Sequence, residues 1–121
     1  MQTSHRSIIL AASAARTADH DVVVHDNDAK YMDLVIDITA FTSGSLTVTV
    51  QGVCPASTKK YTILASAALG AVATTVLRIG PALTVAANTV ANYALPKELN
   101  INFNHADATS ITYSASCSLI K

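Results

Sequence analysis

The residues able to do chemistry crowd near the amino terminus, where Asp19, His20, Asp21, His25, Asp26 and Asp28 fall within ten positions. Carboxylates and imidazoles at this density could hold a divalent cation. The spacing matches no metal pattern: there is no H-E-x-x-H and no EF-hand register with its glycine and closing glutamate. The two histidines sit at opposite ends of a valine run and would diverge, so the stretch reads as a solvated turn flanking a short strand, with no metal and no cofactor. Nucleophilic catalysis needs a Ser or Cys beside a His and an orienting group. No G-x-S-x-G is present, and His105 with Asp107 falls in what reads as a hairpin turn. Asp33 and Asp37 share the outer face of one strand at roughly 13 Å, too far for a glycosidase pair. Four glycines make no phosphate loop. Of the aromatics Tyr31, Phe41, Tyr61, Tyr93, Phe103 and Tyr113, the last-named Phe and Tyr are expected inside, leaving a poor stacking platform. No catalytic residue is assigned, and an enzyme is not expected.

Composition points the same way. The 121 residues suffice for one domain with its own core. Half are hydrophobic but only 13% are charged, and eight basic residues offset eight acidic ones, where an average soluble domain has roughly 25% charged residues. A basic face is what nucleic acid or an anionic membrane requires, so neither is expected as partner. A surface of Ala, Thr, Ser and Asn repels its own copies weakly, which suits life packed against neighbours. Cys117 falls on the inward phase of an alternating run and Cys54 sits beside Pro55; both are expected as free thiols. No apolar run is long enough to cross a bilayer. The first residues, with an apolar centre from Ile8 to Ala15 broken by Ser13, read as an arm or first strand, not an export signal.

The strongest structural signal is Tyr31 to Gly52. Met32, Leu34, Ile36 and Ile38 alternate with polar or outward residues, Thr42-Ser43-Gly44-Ser45 follows, and Leu46, Val48 and Val50 alternate again. A period of two with β-branched residues marks strands with one buried face, and the short Gly/Ser segment predicts an antiparallel core hairpin. Further strands are expected at Asp21 to His25, Lys60 to Ala67, Thr74 to Ile79, Glu98 to His105 and Ile111 to Ile120. Turns are expected at Asp26-Asn27-Asp28 and from Asn104 to Ala108. From Pro81 to Pro96 the pattern lapses into a long connection. The whole predicts an all-β fold: an antiparallel two-sheet β-sandwich of about seven to eight strands, Ig-like or jelly-roll-like. Residues 1–20 form an arm or first strand and 21–121 the sandwich. Its core is expected to hold Leu34, Ile36, Ile38, Leu46, Val48, Val50, Ile63, Leu77, Ile79, Leu99, Ile101, Phe103, Ile111, Tyr113 and Leu119.

Several pieces, in order, resemble a known group. They are the Asp37–Thr39 strand end before the Ser-Gly turn, the Gln51-Gly52 to Pro55-Ala56-Ser57 loop, the Gly80-Pro81, Ala87-Asn88 and Leu95-Pro96 connection, and the strand Ser110-Ile111-Thr112-Tyr113-Ser114. From about Asp26 to Ile120 the chain is similar to small β-sandwich proteins of tailed bacteriophages, regarded as capsid decoration or other minor virion structural proteins. It departs from their pattern at Cys54 and at Lys97-Glu98-Leu99. The resemblance implies a protein on the outside of the capsid, made in the host cytoplasm, that cements the mature shell, with the major capsid protein and other copies of itself as partners. On that reading the contact residues are Arg6, Ile8, Ile9, Leu10 and Arg16 on the arm, and Val85, Asn88, Val90, Asn92 and Tyr93 on the connection. Two other readings stay open. One is a carbohydrate-binding or adhesion module using a face of Asn100, Asn102, Asn104, Thr112, Ser114 and Ser116; the other is a head–tail connector or tail-tube component.

Overall fold

A computed structural model describes residues 5–25, 28–106 and 110–121. The turns expected through Asp26 and Asn27, and through Asp107 and Ala108, lie outside the described residues. Alternation of β-branched and polar residues produces nine strands among the described residues: β1 (His5–Arg16), β2 (His20–Val24), β3 (Tyr31–Phe41), β4 (Leu46–Val53), β5 (Lys60–Ala65), β6 (Ala73–Gly80), β7 (Val90–Asn92), β8 (Leu99–His105) and β9 (Ile111–Ile120). They form two sheets, β1-β9-β3-β6-β7 and β2-β8-β4-β5. The all-β sandwich is as the sequence predicts.

The topology distinguishes the two sandwich types left open. Antiparallel pairs join β1 to β9, β2 to β8, β3 to β6 and β4 to β5. Those are the pairs of one long hairpin folded at the β4–β5 turn. Rolling that hairpin up adds the contacts β3 to β9 and β4 to β8. The result is a jelly roll, with β7 appended in parallel to β6.

The predicted hairpin of β3 and β4 is therefore not a hairpin. Both strands exist, but they belong to opposite sheets. Alternation specifies which side chains go inside, and both strands obey it: Leu34, Ile36, Leu46, Val48 and Val50 have no exposed surface. It does not specify the edge neighbour. Sheets stack about 10 Å apart, a gap that Thr42–Ser45 can arch across, helped by Gly44 at φ 82°. Thr42 Oγ1 donates to the Ser110 carbonyl at 2.9 Å, tying this arch to the neighbouring passage between β8 and β9. That passage also joins opposite sheets, so His105 is not in a hairpin turn either.

Every predicted core position is buried except Ile63, which is half-buried while Leu64 goes inside. The cause is a bulge: Val50 pairs with Leu64 but Gln51 pairs with Thr62, so one extra residue inverts the phase of β5. The segment from Pro81 to Pro96 holds β7, too short to leave a sequence pattern. It is clasped to β6 by Arg78 N to Thr89 O at 2.8 Å and Tyr93 N to Gly80 O at 2.9 Å.

Two glycines admit an aromatic ring against the backbone. A Cβ at Gly80 would overlap Cδ1, Cε1 and Cγ of Tyr31, the part of the ring nearest its own backbone; a Cβ at Gly52 would overlap the far end of Tyr61. Tyr61 is exposed and its tip can swing away, whereas Tyr31 must move as a whole. Gly80→Ala is expected to cost about 1–3 kcal/mol and Gly52→Ala clearly less, as read by urea unfolding of the two variants side by side.

Candidate docking edge of the sandwich

β1 and β2 are the terminal strands of their sheets. They lie on the same open side of the sandwich and bound a groove of about 580 Å³ lined by Arg6 to Ile9 and Val22 to His25. β1 reaches this position through its bulges. Its register on β9 shifts between Ile9 and Ala11 and again between Ala11 and Ala14. The first shift lets two successive residues, Leu10 and Ala11, both turn inward, at 7% and 6% exposure. Ile9 is left outside at 77% exposure, and Val23 across the groove is 47% exposed. Ile8 packs against the core from a half-buried position. Isolated exposed apolar residues are common, and these two project from the outer faces of opposite sheets, Ile9 opposite Ser116 and Val23 opposite Asn100.

The far end of β1 is closed by a cluster that sequence reasoning did not assemble. His20 stacks on Phe103 at 4.5 Å between ring centroids, nearly parallel, and Phe103 lies 5.7 Å from Tyr113. The Arg16 guanidinium sits 4.9 Å above the Tyr113 ring and donates to the Tyr113 carbonyl at 2.8 Å and to the Ala14 and Ala12 carbonyls. Arg16 is thus committed to its own domain. His105 is 8% exposed and its ring lies 5.7 Å from Tyr113. Asp19 Oδ1 accepts from the His105 backbone N–H at 2.6 Å and lies 3.6 Å from its Nδ1. A signal for the cluster was present: His20 shares its phase with Val22 and Val24, and His105 with Ile101 and Phe103. Asp19 and His20 are therefore not simply parts of a solvated turn.

Burial disfavours the charged forms of Tyr113 and His20. It pushes the Tyr113 hydroxyl up to about 12, against the opposing pull of Arg16. His20 is shifted below its ordinary 6.5, by burial first and then by the Arg16 charge, outweighing the backbone contact to Ala18. The unfolded chain therefore binds a proton at His20 before the folded one does. Stability contributed here is complete above about 6.5 and falls as pH drops through that value towards the folded pKa. Thermal unfolding between pH 8 and 5 should show a steeper loss for the wild type than for His20→Phe, which keeps the stack but cannot titrate.

The second predicted contact group lies elsewhere. Val90 and Asn92 are on β7, and Val85, Asn88 and Tyr93 flank it, at the opposite end of the five-stranded sheet from β1. Four strand spacings separate the two groups, roughly 19 Å, so the structure does not bring them together. Val85 and Tyr93 are 66% and 44% exposed. Asn92 Oδ1 accepts from Ala82 N at 2.8 Å, holding Ala82 at φ 61°, and Asn88 has φ 62°. Both asparagines thus shape the loop.

The face proposed for sugars is split. Asn100, Asn102 and Asn104 are on β8, whereas Thr112, Ser114 and Ser116 are on β9 in the other sheet. Asn100 is buried and donates to Gln51 Oε1 at 2.9 Å and Asp21 Oδ1 at 3.3 Å; Asn102 donates to the same Asp21 oxygen at 2.7 Å. Those amide donors, Asn102 first, hold the Asp21 carboxyl below its usual range. Asp33 lies 3.5 Å from Arg78, and Asp37 accepts from Thr74 at 3.1 Å. Cys117 is buried and its thiol pushed up to about 11 by that burial; Cys54 is also free. Among the described residues no group of three His, Cys, Asp or Glu side chains is placed to hold a metal ion, and no helix is long and apolar enough to cross a membrane.

No protein-family model matches the chain, and no curated protein does. Among solved structures, it is similar to a chain of the "Structure of infectious bursal disease virus Gx strain", with TM-score 0.44 and 11% identity, over 99% of this chain and 32% of that one. The chain thus spans about a third of the length of that structure's chain.

Proposed function

We propose that this is a virion structural protein, not an enzyme, which binds the outside of a bacteriophage capsid and stabilises the mature shell. The observation that carries the reading is the edge formed by β1: twelve residues long, with Ile9 77% exposed beside the open side of a jelly roll. An edge strand presents unpaired backbone groups to another chain. The neutral, low-charge surface and the resemblance to phage virion proteins agree with it. The partners are the major capsid protein and other copies of itself on the lattice, with no role for nucleic acid or membrane.

The mechanism is linkage. A protein that binds only the expanded lattice favours that lattice over its opened states, by about 2.7 kcal/mol per site at a hundredfold excess over Kd. One edge contact is small, and repetition over the shell multiplies weak contacts into lasting attachment. The test is co-sedimentation with cognate shells, immature and expanded, followed by thermal disruption of the loaded shells. Saturable binding to expanded shells with a raised disruption temperature is expected. Binding to neither form would sink the reading. Substitutions serve this test better than removal of residues 1–20, which would strip β1, with Leu10, Ala11 and Arg16, from its sheet.

A further inference from the structure

The outer face of the four-stranded sheet carries a cavity of about 710 Å³, walled by the loop that joins β4 to β5. Val23, Val53 and Pro55 give it apolar surface, and Cys54, Lys60 and Asn100 are among its polar points. Asn100 sits between Val23 on β2 and Gln51 on β4 and has no exposed surface. Its amide nitrogen donates to Gln51 Oε1 at 2.9 Å and to Asp21 Oδ1 at 3.3 Å. Neither of those acceptors lines the cavity, so the edge of the amide turned towards it is the one that bears Oδ1. That oxygen has no hydrogen-bond partner. Buried acceptors are rarely left so, and an N–H from a ligand in the cavity would satisfy this one. Lys60 is held loosely, 3.8 Å from Asp21 with both side chains nearly half exposed, so a ligand carboxylate can share its charge.

The loop also fixes a sulfur at the cavity wall. Cys54 N donates to the Lys59 carbonyl and Thr58 N to the Cys54 carbonyl, each at 2.8 Å. The Ser57 hydroxyl, then the backbone N–H groups of Ser57 and Ala56, donate to the Cys54 sulfur and hold its thiol below the ordinary range. The thiolate is the nucleophilic form, and donors of this kind raise its share at neutral pH. Cys117 is the contrast within the same chain, buried and with its thiol pushed up to about 11.

We propose that this cavity is a thiol–disulfide exchange site, in which Cys54 takes up one half of a small amino-acid or peptide disulfide. The Cys54 thiolate bonds to one sulfur of the reagent as the reagent's own S–S bond breaks. The other half leaves as a thiolate and takes a proton from solvent. Cys54 is thereby oxidised to a mixed disulfide, and one half of the reagent is reduced to a thiol. An N–H of the retained half bonds to Asn100 Oδ1, and its carboxylate meets Lys60. Nothing in this chemistry depends on the capsid reading, and no shell is needed to test it.

Three reagents separate the recognition elements. Glutathione disulfide has both N–H groups and carboxylates, cystamine has N–H groups alone, and dithiodipropionate has carboxylates alone. Each is mixed with the folded full chain and with a peptide of residues 53–60, which has the same cysteine without the cavity. Mixed-disulfide formation is followed by mass spectrometry. One adduct on Cys54 and none on Cys117 is expected. Relative to the peptide, the folded chain should react about tenfold or more faster with glutathione disulfide, and about threefold faster at most with the other two. Lys60→Gln leaves the core untouched and should bring glutathione disulfide down to the level of cystamine. Asn100→Leu, once thermal unfolding has shown it folded, should bring it down to that of dithiodipropionate. Equal rates for chain and peptide, the same gain with all three reagents, or an undiminished gain in Lys60→Gln would each overturn the proposal.

Discussion

Replacing Phe103 with alanine should lower the unfolding free energy by about 3–5 kcal/mol, the range for truncating a buried aromatic. Phe103 has no exposed surface and lies between His20 at 4.5 Å and Tyr113 at 5.7 Å. Its loss removes apolar contacts and also the stacking surface of His20, beside which β1 passes to β2. Because a domain of this size is stable by only about 5–15 kcal/mol, the variant should unfold at far lower urea. Phe103→Leu keeps most of the volume and should cost less. Equilibrium urea unfolding of both checks this; a cost below about 1 kcal/mol for Phe103→Ala would mean that the stack is not part of a packed core.

Asp19→Ala is expected to cost about 1–3 kcal/mol, the penalty of leaving a largely buried polar group without its partner. Asp19 is itself exposed, yet its Oδ1 is the acceptor for the His105 backbone N–H at 2.6 Å and faces Nδ1 of the same residue at 3.6 Å. The His105 side chain is 1% exposed, and neither of its ring nitrogens has a hydrogen-bond partner. Removing the carboxylate therefore strands the backbone N–H and takes away the oxygen that faces the ring at 3.6 Å. Asp19→Asn keeps an oxygen in place and should retain most of the stability. Paired thermal melts at pH 7 decide it, and equal losses for the two variants would show that the charge, not the acceptor, matters.

The sequence was most informative about faces. The alternation in Leu99, Ile101 and Phe103, and in Ile111, Tyr113 and Leu119, assigns inside and outside correctly because a pleated strand has a strict period of two. It is silent on pairing, which is why β3 and β4 read as a hairpin and turned out to face each other across the core. Apart from β5, which follows β4 directly, their partners β6, β8 and β9 lie far along the chain, and register with those strands selects the sheet. Bulges were equally invisible: one extra residue at Ile63 sends Leu64 inside, and another near Leu10 leaves Ile9 outside. The docking edge was half legible. Ile8, Ile9 and Leu10 stand out as an apolar run, but their different fates depend on the bulge. Arg16 reads as a partner contact on the arm, whereas it caps the Tyr113 ring and three carbonyls of its own domain. The contact residues near β7 lie at the other edge of the sheet, a separation that no local pattern encodes.

Electron cryomicroscopy of expanded shells saturated with the protein tests the central claim most directly. Density for the sandwich should lie on the outer surface, with the β1 and β2 edge turned towards a shell subunit. Density only inside the shell, or at the tail vertex, or an attached sandwich with that edge facing solvent, would contradict the account.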